Sequence, residues 1–132
     1  MQGHARKVRF VKVTLERTSE GYHASVELSG KGNARFTGDA DGRATEEELL
    51  RTGAAAAADA VAEACGIPDV SVEVKDIAAL QLFGNRIVLV SIVATLREQT
   101  KQLYGICVVQ GDAAAAAALA VLNATNRVLD LA

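Results

Sequence analysis

Tyr22-His23-Ala24-Ser25-Val26-Glu27-Leu28-Ser29 alternates apolar and polar side chains without a break. A period of two puts Tyr22, Ala24, Val26 and Leu28 on one face of a strand and His23, Ser25, Glu27 and Ser29 on the other, so the sheet has a buried side and a wet side. Ser19-Glu20-Gly21 before it and Gly30-Lys31-Gly32-Asn33 after it are hairpin turn signals, which makes its neighbours antiparallel strands. Upstream, Val8 and Phe10 share one parity while Val11, Val13 and Leu15 share the other. This predicts a bulge near Phe10 or a strand that begins after it. Downstream, a short third strand through Arg35, Phe36 and Thr37 is expected to give way to a polar loop over residues 38–43.

Thr45 and Glu48 have the spacing of a capping box, in which hydroxyl and carboxylate satisfy amides at a helix start. The helix is expected to run to about Cys65, because Gly66 takes a left-handed cap readily and Pro68 cannot continue it. Leu49, Leu50, Ala54, Ala57, Val61 and Ala64 supply its apolar stripe. Glu46, Glu47, Arg51 and Glu63 are left for solvent. The same order then repeats. Val70, Val72 and Val74 alternate with polar residues, Phe83-Gly84-Asn85 turns the chain, and Ile87 to Leu96 reads as a long strand. Residues 97–101 read as a charged hairpin loop, Leu103 to Val109 as another strand, and Gly111-Asp112 as the opening of a second Ala-rich helix ending near Asn126-Arg127. The expected fold is α+β: two βββα units, about 7–66 and 69–130, in a single domain over 1–132, with antiparallel sheet carrying Ala-rich helices on one face. Helix propensity alone explains the Ala runs at 54–58 and 113–118, but their matching place after three strands points to an internal repeat.

The second unit is apolar on both faces of its strands. Ile87, Leu89 and Val93 share one parity and Val88, Val90, Ile92 and Leu96 the other; Tyr104, Ile106 and Val108 likewise alternate with Leu103, Cys107 and Val109. Helices cover one side of a sheet, so the other side needs a partner. The expectation is a homodimer through Val88, Val90, Ile92, Tyr104 and Ile106. The alternative is a central strand covered on both faces within one chain.

Composition bounds the function. The chain has 132 residues, half of them hydrophobic, with 14 Lys+Arg against 16 Asp+Glu and a net charge of −2. That describes one globular domain with an adequate core and no bulk positive charge for nucleic acid. Five residues are aromatic and 25 are Ala, so the core is built of small and branched side chains. No apolar run is long enough for a membrane span, and the basic N-terminus has no signal-peptide core behind it, so the expected compartment is the cytoplasm. Cys65 and Cys107 read as small buried hydrophobes.

The repeated units together with Ala120-Val121-Leu122-Asn123-Ala124-Thr125-Asn126-Arg127-Val128 resemble the C-terminal regulatory domain of α-isopropylmalate synthase. That domain has two strand-rich units each closed by a helix, ends in a similar Leu-Asn-Ala-x-Asn-Arg stretch, and pairs with its twin. The resemblance spans about residues 11–129 and leaves no room for the synthase's catalytic barrel. It implies a noncatalytic small-molecule-binding or assembly domain. In that family the loops before the helices bind leucine. The equivalent positions here are Gly38, Asp39, Asp41, Gly42 and Thr45 in the first unit and Gly111 and Asp112 in the second. The family's loop contains Pro, and this one does not. The implied ligand is a small anionic or amino-acid-like molecule.

Other chemistries have weaker support. His4 and His23 are the only histidines, too few for a zinc site, and His23 alternates onto the wet face. Thr37-x-Asp39-x-Asp41-Gly42 with Thr45 and Glu48 imitates calcium-loop spacing, but it begins with Thr and follows a strand. Gly30-Lys31-Gly32 is too short for a phosphate loop and lies between strands. Arg6, Lys7, Arg9, Lys12 and Arg17 make the N-terminal stretch basic, and Gly30-Lys31-Gly32-Asn33 ahead of an Ala-rich helix resembles double-stranded-RNA-binding domains, yet that helix opens with Glu46, Glu47 and Glu48, which repel phosphates. The enzymatic alternative is a small hotdog-like enzyme with its active site at a dimer interface and Glu48, Asp39 or Asp112 as acid. No catalytic residue, metal ligand or cofactor is assigned.

Overall fold

A computed structural model describes residues 8–66 and 69–126. The first unit comprises β1 (Arg9–Arg17), β2 (Tyr22–Ser29), β3 (Arg35–Gly42) and α1 (Glu46–Cys65). The second comprises β4 (Val70–Leu82), β5 (Asn85–Leu96), β6 (Gln99–Val108) and α2 (Ala113–Asn126). Each set of three strands is an antiparallel sheet in sequential order, β1-β2-β3 (sheet A) and β4-β5-β6 (sheet B). The architecture is α+β, built from two βββα units. The expected stop at Pro68, the basic Arg6 and Lys7, and Arg127 and Val128 lie outside the described residues.

The opening strand behaves as its alternation requires: Ala24, Val26 and Leu28 are fully buried. Across from them stand Leu15, Val13 and Phe10 of β1, and the register shifts between Phe10 and Lys12, which makes Val11 the bulged residue. At the start of α1 the Thr45 hydroxyl accepts the Glu48 amide at 3.1 Å, and Gly66 closes the helix in the left-handed conformation at φ 69°.

Two expected loops are strand. Residues 38–42 continue β3, pairing Val26 with Gly38, Ala24 with Ala40 and Tyr22 with Gly42. Their Gly and Asp content imitates a loop, but β2 offers a partner along its whole length. The expected loop at 97–101 is a two-residue turn, Arg97-Glu98, with φ of 51° and 70°, and β6 begins at Gln99. Both central residues are left-handed, as tight hairpin turns matched to strand twist require. Neither is Gly or Asn, so the usual signal is missing.

The two units share a packing device. A Cβ on Gly38 would stand 2.2 Å from the carbonyl oxygen of Ala56 and 2.2 Å from the amide of Ala60; one on Gly105 would stand 1.9 Å from the carbonyl oxygen of Ala120 and 3.0 Å from the Ala124 methyl. In each unit, then, a glycine in the third strand receives the backbone of an Ala-x-x-x-Ala step on its own helix. The next residue of the strand is bonded to the helix residue just before the second Ala: the Asp39 amide donates to Asp59 Oδ2 at 3.1 Å, and Asn123 Nδ2 donates to the Ile106 carbonyl at 2.7 Å. This correspondence supports the internal repeat more strongly than the Ala runs do.

α1 rests on β2 and β3 and reaches β4; α2 rests on β5 and β6 and reaches β1; and the helices pack on each other where Gly53 meets Ala114. Each helix is therefore covered on three sides. Only a narrow stripe remains wet, including Glu47, Ala55, Asp59 and Glu63 on α1 and Asn123 on α2. Helices so enclosed approach their neighbours closely, and Ala permits a spacing that larger side chains would prevent.

Candidate functional site

The two sheets follow one plan but differ on their outer faces. On sheet A the residues turned away from the helices are polar: Lys12, Thr14 and Glu16, then His23, Ser25 and Glu27, then Thr37, Asp39 and Asp41. On sheet B the outer face is divided: the rows Ser71-Thr95-Thr100, Glu73-Val93-Gln102 and Asp76-Ser91-Tyr104 are largely polar, while Ala78-Leu89-Ile106 and Leu80-Ile87-Val108 are apolar, with the Tyr104 ring beside them. Tyr104 is 68% exposed, Ile106 49%, Leu80 41% and Val108 40%. Beside Tyr104, Ala78 and Leu89 line a shallow concavity of about 260 Å³. Exposed apolar side chains gathered at one end of a sheet face make it a candidate contact surface.

This face differs from the expected one. Val88, Val90 and Ile92 are 0%, 2% and 0% exposed, packed beneath the helices, and are unavailable to a partner. Tyr104 and Ile106 do lie outside. The register pairs Ile106 with Leu89 and Tyr104 with Ser91, so their face is that of the odd-numbered residues of β5. Sequence alternation identified both parities as apolar and could not say which one the helices take.

On sheet A, His23 stands between two carboxylates of the adjacent strand. Its Nδ1 is 2.8 Å from Asp41 Oδ1 and its Nε2 is 3.1 Å from Asp39 Oδ1. Only an imidazolium donates from both nitrogens. The bond to Asp41, with a smaller contribution from Asp39, lifts the histidine pKa above its ordinary 6.5 against an opposing desolvation effect. Sequence reasoning placed His23 on the wet face but missed its partners. The available signal was Asp39 and Asp41 two residues apart, which a longer β3 puts on one face.

The residues expected to hold a ligand separate into groups. Gly38 is buried against α1, and its glycine serves that close approach, so it leaves the ligand set. Asp39 and Asp41 are both engaged with His23. Asp41 and Gly42 line an open groove of about 750 Å³ together with Tyr22, Arg43 and Glu48. Thr45 caps α1. Asp112 Oδ1 accepts the amides of Ala114 and Ala115 at 2.9 and 3.3 Å, an ordinary helix cap, and neither Gly111 nor Asp112 lines the groove. Residues 37–42, considered for calcium, are extended strand, and among the described residues no group of three or more His, Cys, Asp or Glu is placed to hold a metal ion. Burial raises the pKa of both the Cys65 and Cys107 thiols, which keeps them protonated and weakly nucleophilic at neutral pH. No helix among the described residues is long and apolar enough to cross a membrane.

The sequence matches no protein-family model and no curated protein. Neither comparison identifies the chain as a synthase regulatory domain, an expectation drawn from the repeated units and the stretch from Ala120. Both asparagines of that stretch have structural work here: Asn123 bonds the edge of β6, and Asn126 Nδ2 donates to the Val8 carbonyl at 3.0 Å, tying the end of α2 to the start of β1.

Proposed function

We propose that the chain is a noncatalytic assembly and small-molecule-binding domain of the synthase regulatory type, which pairs with a second copy of itself through the outer face of sheet B. The observation that carries this reading is the contrast between two sheets of one design, one polar across its outer face and one with an apolar end where Leu80, Tyr104, Ile106 and Val108 are exposed. A twofold axis through such a face brings the same patch of both copies together, the commonest way for one chain to bury its own surface. Light scattering on the purified protein at micromolar concentration tests it: twice the chain mass is expected, and the monomer mass at every concentration would refute it.

The ligand-binding part of the reading rests on the groove at the end of sheet A. Arg43 offers a cation to a carboxylate, and Glu48 offers an acceptor to an ammonium group, which suits a small anionic or amino-acid-like molecule. Amide shift perturbation during titration with free amino acids tests this part. Shifts centred on Asp41, Gly42 and Arg43 are expected, and shifts confined to other regions would reject the placement.

A further inference from the structure

We infer that the cavity at the opposite end of sheet A, where β2 turns into β3, is a binding site for a small phosphate-bearing anion. It measures about 400 Å³ and is lined by Arg9, Ser29, Gly30, Lys31, Asn33 and Arg35, with Gly32 completing the turn. Arg9 pairs across the sheet with Ser29, and Ser29 with Arg35, so two arginines flank a serine in one cross-strand row. Two strand spacings separate the arginines at the backbone, roughly 10 Å, a span that two guanidinium side chains can close onto one tetrahedral anion. Gly32 and Asn33 both have φ of 67°, which folds the connection back and brings Lys31 to the same cavity.

Charge favours this assignment. No carboxylate lines the cavity. Arg35 is 3.5 Å from Glu27 Oε2, while neither Arg9 nor Lys31 has a carboxylate within ion-pair distance among the described residues. Cations collected around a concavity repel one another until an anion sits among them, and this occurs in a chain whose acids outnumber its bases. The rows that follow on the same face set the size of the ligand. Lys12-Glu27-Thr37 comes next, then Thr14-Ser25-Asp39, then Glu16-His23-Asp41. A phosphodiester backbone running along the sheet would meet these carboxylates, whereas a single phosphate group at the end of the sheet does not. Gly30-Lys31-Gly32 therefore acts in a way unlike a phosphate loop before a helix: the recognition comes from side chains of three chain segments.

The test is an amide NMR titration of the full chain with inorganic phosphate, with phosphoserine and with a twelve-nucleotide single-stranded DNA, each against sodium chloride at matched ionic strength. Saturating shifts at Arg9, Ser29, Lys31 and Arg35 are expected with phosphate and phosphoserine and not with chloride. Arg9→Glu with Lys31→Glu should weaken phosphate at least about tenfold, the loss of a charge-assisted contact, while Lys101→Glu on β6 leaves it unchanged. Lys31→Ala, in the exposed turn, provides the same comparison if the double variant does not fold. Shifts that never saturate or that centre elsewhere, unchanged affinity in the variants, or tighter binding of the DNA than of phosphate would each overturn the assignment.

Discussion

Asn123 Nδ2 donates a 2.7 Å hydrogen bond to the Ile106 carbonyl on the open edge of β6. Asp59 occupies the matching place on β3, accepting the Asp39 amide at 3.1 Å. The two remaining edge strands, β1 and β4, carry register shifts at Val11 and Lys75. Unpaired edges invite strand addition by another chain, and both a bulge and a side chain bonded to the edge discourage it. With all four edges so treated, none of them is an open template for strand addition.

Removing the edge bond gives a graded loss. Asn123→Ala should cost about 1 kcal/mol, the net value of one hydrogen bond. Asn123→Asp should cost more, because a carboxylate then faces the Ile106 carbonyl. Urea unfolding midpoints check both, and a midpoint for Asn123→Asp at or above that of Asn123→Ala would contradict the role given to the amide.

Gly38→Ala and Gly105→Ala should each destabilise by about 1–3 kcal/mol, because the new methyl overlaps helix backbone and the helix must move. Thermal unfolding measures this. Similar losses at the two positions are expected from their equivalent places in the repeat, and a neutral Gly105→Ala would contradict the close approach of α2 to β6.

Much of this architecture was legible in the sequence, and the gaps have physical causes. Alternation at 22–29, the Thr45 and Glu48 spacing and Gly66 fixed the first unit's strand and helix, because each signal comes from neighbours in sequence. The length of β3 was hidden because Gly38 and Gly42 have long-range reasons for being glycine, namely contact with Ala56, Ala60 and Thr52. Arg97-Glu98 was hidden because a left-handed turn was built from residues that seldom form one. Of the five residues expected at an interface, Val88, Val90 and Ile92 are buried beneath the helices. Tyr104 and Ile106 are exposed, but choosing between the two apolar parities of β5 needs the position of the helices.

His23 makes stability depend on pH. Its pKa is raised in the folded chain, chiefly by the hydrogen bond to Asp41, so its contribution is fully present below the unfolded value of about 6.5 and is lost as pH rises through the folded value. The His23 ring resonances should titrate above 6.5, and His23→Gln should flatten that part of the stability profile. A ring pKa at or below 6.5 would contradict the two carboxylate contacts.

The thiols should be slow. Burial raises the pKa of Cys65 and Cys107, so iodoacetamide at neutral pH should label both more slowly than it labels free cysteine, and faster once the protein is unfolded in urea. Labelling of either at the free-cysteine rate in the folded protein would contradict their packing.

Sedimentation velocity across a micromolar concentration series, run on the parent chain and on Tyr104→Glu with Ile106→Glu, bears most directly on pairing through sheet B. Both positions are exposed in the single chain, so charge there should leave the circular dichroism spectrum unchanged while disrupting an apolar interface. The expected result is a dimer for the parent and a monomer for the variant. A parent that sediments as a monomer throughout, or a variant that remains a dimer, would contradict the assignment of this face as the contact between copies.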